Sequence, residues 1–326
     1  MIVVTGATGH IGNVLVRELL SRGDAIRVLI PASEDTTPLE GFEVERVEGD
    51  ILEVDTLVKA FKGADVVFHL AGLVSILPGK WNLLYQVNVV GTRNVVEAWQ
   101  KSGVRRLVYT SSIHALAPPP PGAVIDETLP FDPDMSMGEY DRSKAQATLE
   151  VLKAVEQGLD AVIVCPTGVI GPYDFKVSEM GQLFLDFAKG RLKAYIEGAY
   201  DFVDVRDVAT GHILACEKGR TGQNYILSGE RITIVDLLSV LEEITGVRAP
   251  RSRMPIGLAQ IAAVFTPLYH RLTRTKPLFT KYSIRTLTSE SFVSQEKSRR
   301  ELGYSPRPIR ESIVDSIRWF QEHGRL

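Results

Sequence analysis

Residues 2–20 constrain the fold before any other part of the chain is read. The apolar run Ile2-Val-Val-Thr5 enters three glycines, Gly6, Gly9 and Gly12, spaced G-x-x-G-x-x-G, and a helical pattern follows with Val14, Leu15, Leu19 and Leu20 on one face. Gly6 permits a tight turn, Gly9 lets backbone approach a pyrophosphate, and Gly12 brings the helix close to the sheet. The free N–H groups of the helix N-terminus then face phosphates. A glycine-rich loop alone is a weak signal, and a ligand-free strand-to-helix turn is the competing reading. Strand, loop and helix in this order make the signal strong.

The first half continues as alternating strands and helices, the pattern of a parallel sheet covered on both faces. Strand-like runs are Ile2–Thr5, Ala25–Ile30, Phe42–Val47, Val66–Leu70, Arg106–Thr110 and Ala161–Cys165. Helical runs are Ile11–Ser21, Val54–Phe61, Trp81–Ser102 and Tyr140–Gln157. The expected fold is α/β, a Rossmann-type doubly wound parallel sheet. The Pro-rich stretch 118–121 and the acidic loop 126–134 read as a surface excursion above the carboxyl ends of the strands. Beyond Pro166 the alternation weakens to helices at Ser178–Lys189 and Val205–Glu217, with a late strand at Asn224–Leu227. From Ile232 to Arg325 the pattern is mostly helical. The expected division is a dinucleotide-binding domain of residues 1–165 with 203–229 returning to it, and a smaller substrate lobe of 166–202 and 230–326. The apolar segment Pro255–Leu272 reads as a helix packed on that lobe, with a lid or membrane-touching helix as the alternative.

A chain of 326 residues is ample for such a core. A net charge of −3 gives no reason to expect nucleic acid or an anionic membrane as partner. Cys165 and Cys216 make neither a disulfide framework nor a metal-like spacing. Met1 runs directly into the first strand without a basic-then-apolar leader, and no apolar run reaches the ~18 residues of a spanning helix. A cytoplasmic enzyme is the expectation.

The chemistry points to Tyr140-Asp-Arg-Ser-Lys144. Positions i and i+4 share one face of a helix, so the Lys144 ammonium would lie beside the Tyr140 phenol. A free phenol titrates near ~10, and an adjacent cation lowers that value. Ser112, ending the run Leu107-Val-Tyr-Thr-Ser-Ser112, would hold a substrate oxygen against Tyr140. Taken alone, Y-x-x-x-K is weak, and an ordinary surface pair is the bland reading.

With these pieces in place the chain resembles an extended short-chain dehydrogenase/reductase over nearly its whole length. Thr5–Gly12 resembles the cofactor loop, His69-Leu-Ala-Gly72 the fourth-strand segment, and Asn88-Val-Val-Gly-Thr92 the helix that follows. Thr110-Ser-Ser112 with Tyr140 and Lys144 is similar to the catalytic set. Pro166-Thr-Gly-Val-Ile-Gly-Pro172 is similar to the turn beside the nicotinamide, and Phe202–Val208 to the second-lobe junction. The resemblance implies catalytic roles for Ser112, Tyr140 and Lys144. It implies cofactor contacts by Gly6, Thr8, Gly9, His10, Ile11 and Gly12 in the loop, and by Ser33, Asp50 and Ile51 toward the adenosine. Leu70, Ala71, Gly72, Thr110, Ser111, Pro166 and Val169 complete that set, with Tyr140 and Lys144 shared between the two roles. The residue closing the second strand falls on Pro31, neither the acid that bonds a ribose hydroxyl nor the arginine that accepts a 2′-phosphate. With Ser33 as a donor, NADP(H) is slightly favoured over NAD(H), while Glu34 and Asp35 argue the other way.

Within the family, two groups compete. One is similar to dihydroflavonol reductases and 3β-hydroxysteroid dehydrogenases, which reduce a ketone or aldehyde or run the reverse reaction. The other contains nucleoside-diphosphate-sugar epimerases and dehydratases with tightly held NAD. Many epimerases place Asn where Gly168 stands and Arg where Tyr200 stands, to grip a diphosphate. The loss of those charge-assisted bonds favours a less charged substrate, unless Arg206 or Arg285 compensates. A non-catalytic cofactor sensor is a distant third reading. His114 is a candidate for the substrate cleft, as are Met135, Met137, Tyr173 and the Tyr195–Tyr200 segment. His69 and His212 read as structural histidines, Cys165 as a packing residue, and Asn88 as a backbone-bonding helix residue. Relatives imply a homodimer through Trp81–Ser102 and Tyr140–Gln157.

Overall fold

The structure, a computed structural model, describes residues 1–120, 122–260, 281–288 and 292–326. In chain order the strands are β1 (Ile2–Thr5), β2 (Ile26–Ile30), β3 (Glu45–Glu48), β4 (Val66–His69), β5 (Arg106–Thr110), β6 (Ala161–Pro166), β7 (Gly168–Ile170), β8 (Ala194–Tyr195), β9 (Ala199–Asp204), β10 (Asn224–Leu227), β11 (Glu230–Thr233) and β12 (Ser252–Arg253). The helices are α1 (His10–Ser21), α2 (Val54–Phe61), α3 (Trp81–Leu84), α4 (Gly91–Ser102), α5 (Glu139–Glu156), α6 (Glu179–Ala188), α7 (Val205–Lys218) and α8 (Ile234–Thr245), followed by Lys281–Leu287, Glu296–Leu302 and Ile309–Glu322.

Seven strands form one parallel sheet in the order β10-β6-β5-β4-β1-β2-β3. Alternating side chains point to opposite faces of a strand, so each strand feeds two cores. Val4, Val28, Phe68 and Val108 pack under α1 and α7, while Val3, Leu29, Val67 and Leu107 pack under α2, α4 and α5. With both faces covered, the strands read as continuous apolar runs; every residue of β6 is buried. The strand order reverses between β1 and β4. A ligand crevice opens at such a point, outside the carboxyl ends of the strands.

A third core gathers Phe184, Phe187, Leu237, Leu241, Ile313 and Phe320 from α6, α8 and Ile309–Glu322 around the small sheet β11-β9-β7. The helix Glu296–Leu302 instead returns to the large sheet and packs against α7 and β10, with Leu302 and Tyr304 in its core. Among the described residues no helix is long and apolar enough to cross a membrane. Of the apolar stretch 255–272, residues 261–272 lie outside the described residues.

Most elements match the sequence expectation to within a residue or two. The third strand does not: it covers Glu45–Glu48 rather than Phe42–Val47, because Phe42 leaves the ladder and lies under the Arg17 guanidinium. The expected helix Trp81–Ser102 is interrupted by a π-helical stretch, Tyr85–Val90. The remainder, expected to be mostly helical, opens with β11, which pairs antiparallel with β9. Its four residues are mostly exposed, too short and polar for an alternation signal.

Candidate active site

The cofactor side of the crevice is backbone packed on backbone. Gly6 adopts φ +73°, and a Cβ there would stand 2.5 Å from the Ala71 nitrogen. A Cβ on Gly12 would stand 2.1 Å from the Gly6 carbonyl oxygen. Both glycines are therefore steric requirements for joining β1, α1 and the Leu70–Gly72 segment. Gly9 is the N-cap of α1, no side chain caps the helix, and its first turn holds no acid. Those N–H groups are left to an external acceptor, the arrangement that takes a pyrophosphate. The residues fit a dinucleotide.

The neighbouring candidates are held by specific bonds. The His10 ring bonds the Pro172 carbonyl (2.9 Å), tying α1 to the Pro166–Pro172 turn. Ile11 stands partly buried on the first turn of α1. Asp50 caps its own turn through Leu52 N–H (2.9 Å), and the Ile51 carbonyl accepts from Asn94 (3.0 Å). Pro166 closes β6, and Val169 pairs with Val203 of β9. After β2 the side chain brought to the loop is that of Glu34, whereas Ser33 stays exposed. Glu34 accepts from the Thr8 hydroxyl (2.7 Å) and is ion-paired with Lys176 from beyond β7.

The three candidate catalytic residues stand just after β5 and on α5, which pack together. Successive residues of an extended strand face opposite ways, which separates the two serines after β5. Ser111 donates to Thr148 Oγ1 (2.7 Å), whose own proton goes to the Lys144 carbonyl, so Ser111 is committed to α5. Ser112 accepts from His114 N–H (3.2 Å), and its hydroxyl lies near enough to that of Tyr140 to favour the phenolate. Lys144 is buried, its Nζ donating to the Thr110 carbonyl (2.5 Å) and the Tyr109 hydroxyl (3.0 Å). Burial lowers the Lys144 pKa while Tyr140 raises it. Burial pushes the Tyr140 phenol up, opposed by the Lys144 charge and the Ser112 hydrogen bond. The net shift is upward, so the sequence expectation of a lowered phenol needs correcting. The cation acts as expected, but desolvation outweighs it.

Thr110 turns its hydroxyl the other way. His212 Nδ1 must donate to the Val208 carbonyl (2.7 Å), so its Nε2 accepts the Thr110 hydroxyl proton (2.7 Å). His69 spans Thr5 (2.7 Å) and Thr92 (3.1 Å). Both rings are fully buried, with pKa values pushed down to about 3 for His69 and about 4 for His212, as structural histidines should be. Asn88, in the π-helical stretch, bonds both the N–H and carbonyl of Leu73 and reaches Ser143 on α5. It pins the segment after β4 to α5. Burial raises the Cys165 thiol to about 12, which suits packing rather than attack.

A cavity of about 360 Å³ is lined by Ile113, Leu116, Pro118, Ile125, Met137 and Val293 together with His114, Asp141, Tyr200, Asp201 and Arg285; it reaches the residues next to Ser112 and Tyr140 in the chain, whereas Ser112, Tyr140 and Lys144 do not themselves line it. Met135 and Tyr173 do not line it; Tyr173 is stacked under Arg17 and against Trp319. Gly168 has a steric cause, because a Cβ there would meet Tyr200 Cε1 at 2.6 Å and Phe202 Cδ1 at 2.7 Å. An Asn side chain has no room. The Tyr200 hydroxyl bonds His114 (2.6 Å), and Arg206 is held by Asp204 and Asp315. Of the two arginines considered for a diphosphate, only Arg285 reaches the cavity. No sequence signal marks Tyr282, whose hydroxyl donates to the buried carboxyl of Asp141 (2.7 Å) from 141 positions away.

Residues 2–228 match the family described as NAD dependent epimerase/dehydratase. The chain is 41% identical to sterol demethylase protein B of Methylococcus capsulatus, covering 99% of each. It is 36% identical to a putative dihydroflavonol 4-reductase of Synechocystis, covering 98% of this chain and 94% of that one. Among solved structures, that of gox2253 superposes with a TM-score of 0.88 at 36% identity, covering 100% of this chain and 99% of the other. The family binds NAD(P), which agrees with the glycine cradle. The chain therefore belongs to the NAD dependent epimerase/dehydratase family, as an oxidoreductase of the extended short-chain dehydrogenase/reductase kind.

Proposed function

We propose that this enzyme interconverts an apolar ketone and its secondary alcohol. The observation that carries the reading is the Ser112–Tyr140–Lys144 cluster beside a cavity walled by Ile113, Leu116, Pro118, Ile125, Met137 and Val293, where Gly168 and Tyr200 replace a diphosphate grip. The dinucleotide, when bound, supplies or accepts the hydride. Ser112 holds the carbonyl oxygen, and Tyr140 gives it a proton in reduction or takes the hydroxyl proton in oxidation. Lys144 opposes the effect of burial on the phenol and retains a third N–H beyond its two bonds to β5.

The relatives' names favour the same class, one being a sterol demethylase protein and the other a putative dihydroflavonol reductase. We therefore place sterol-like or flavonoid-like ring alcohols and ketones first. For the cofactor, the carboxylate of Glu34 at the adenosine end favours a ribose diol over a 2′-phosphate, so NAD(H) is the expected partner. This reverses the preference that Pro31 and Ser33 suggest in sequence. A homodimer through α4 and α5 fits the exposed Leu149. A panel of sterol and flavonoid ketones incubated with NADH and with NADPH tests the reading. Net cofactor oxidation matched by alcohol formation supports it. Cofactor-neutral epimerisation of a sugar nucleotide, with the panel inert, overturns it.

A further inference from the structure

Asp141 follows Tyr140 on the first turn of α5, where a carboxylate is usually a solvated complement to the helix dipole. Here it is 1% exposed and stands in the cavity wall. Its Oδ1 accepts from the Tyr282 hydroxyl (2.7 Å). The Tyr282 ring lies so close to Gly138, the N-cap of α5, that a Cβ there would stand 3.0 Å from it. Helix Lys281–Leu287 is therefore seated on the start of the catalytic helix by one tyrosine, and the seat is a buried acid beside the proposed proton donor.

We propose that Asp141 is a positioning residue for Tyr140: its carboxylate, fixed by Tyr282, sets how readily the phenol gives up its proton, and so the pH profile of turnover. The proposal rests on the reading of Tyr140 as the acid–base group. Among the described residues, the groups facing Asp141 are Tyr282, Tyr200 of β9 and Tyr140 on its own helix, none of them cationic. His114 lies against both Tyr200 and Tyr282 (ring centroids 6.0 and 5.7 Å), and burial lowers its pKa to about 4, so it is neutral near pH 7. Arg285 lines the same cavity from helix Lys281–Leu287.

Burial raises the Asp141 carboxyl to about 7, against the Tyr282 bond and backbone N–H bonds that favour its charge. The carboxyl thus changes charge in the neutral range. When ionised it raises the Tyr140 phenol, opposing Lys144. Asp141→Asn removes the charge and keeps the shape. Tyr282→Phe removes the bond that favours the charge, leaving the carboxyl protonated to higher pH.

Phenolate absorbance is titrated in the full-length parent, Asp141→Asn and Tyr282→Phe, each corrected by the same protein also carrying Tyr140→Phe. The difference reports Tyr140 alone and needs no substrate. The expected result is a Tyr140 midpoint lower by about one pH unit in Asp141→Asn, the size of one charge several ångströms away in a partly shielded site. Tyr282→Phe keeps the Asp141 charge at the alkaline pH where a phenol titrates, so its Tyr140 midpoint should stay near that of the parent. A purely structural Asp141 would lower the thermal midpoint and leave the Tyr140 midpoint in place, which overturns the proposal. If Asp141→Asn does not fold, Asp141→Ser, equally without charge, decides in its place. Full turnover in Tyr140→Phe would instead overturn the acid–base reading itself.

Discussion

On the dinucleotide side of the cleft, Gly6–Gly12 and Leu70–Gly72 meet backbone to backbone, and three glycines do the specifying. On the substrate side, His114, Met137, Asp141, Tyr200 and Arg285 come from four separate segments and meet side chain to side chain. The first wall is a short run of sequence with a fixed conformation, so it can be read directly and kept while substrates change. The second is assembled from residues up to 180 positions apart, from Ile113 to Val293, several of them in loops rather than in the large sheet. Binding a common cofactor and selecting a particular substrate are thus separated in the chain as well as in space.

The strongest test of this separation is at the group between the walls. Tyr140→Phe removes only a hydroxyl, so turnover should fall by about 10²–10⁴ while NADH affinity, measured by fluorescence titration, stays near the parent value. A parallel loss of both would mean that the two walls are coupled through Tyr140.

Two glycine substitutions sharpen the contrast. Gly12→Ala forces a Cβ into the Gly6 carbonyl, and Gly168→Ala forces one into Tyr200 and Phe202. Each should cost about 1–3 kcal/mol by overpacking, read as a lower thermal midpoint. Gly12→Ala should also weaken NADH binding by about tenfold or more. Gly168→Ala should leave NADH binding intact and impair turnover of the ketone.

A third comparison lies at the adenosine end. Glu34→Gln removes the carboxylate that Thr8 and Lys176 hold and leaves Lys176 free to meet a phosphate. The NADH-over-NADPH affinity ratio should drop by about tenfold. An unchanged ratio in direct binding titrations would remove Glu34 from the selection of cofactor.

The smallest effect is on stability. His69, His114 and His212 are buried neutral, with pKa values of about 3, 4 and 4. The unfolded chain binds these protons near ~6.5, so between about pH 6.5 and 4 it holds more protons than the native state. Stability should therefore fall as pH drops through that window, seen as a declining thermal midpoint. His212→Asn should flatten the slope. A thermal midpoint constant down to pH 4 would contradict the buried neutral rings.

The difference between the walls also explains what the sequence could disclose. The seven-stranded sheet was legible because each strand is buried on both faces and each helix has one apolar face. The placing of Tyr140 and Lys144 on one helix was legible because helical spacing is local. Asp141 was not, since an acid on the first turn of a helix reads as solvated until Tyr282 arrives from the other end of the chain. Ser33 and Glu34 could only be weighed against each other in the sequence, because the path of the backbone after Pro31 decides which side chain turns back to Thr8. The net rise of the Tyr140 phenol was equally hidden, because desolvation depends on what covers the group.

The most direct test of the central claim follows an isotope. With NADH deuterated at the transferred position and an apolar ring ketone, the account predicts one deuterium in the product carbinol for each NADH consumed, with the transfer lost in Tyr140→Phe. Retention of the label by the cofactor without net consumption, while a sugar nucleotide is converted, would contradict it.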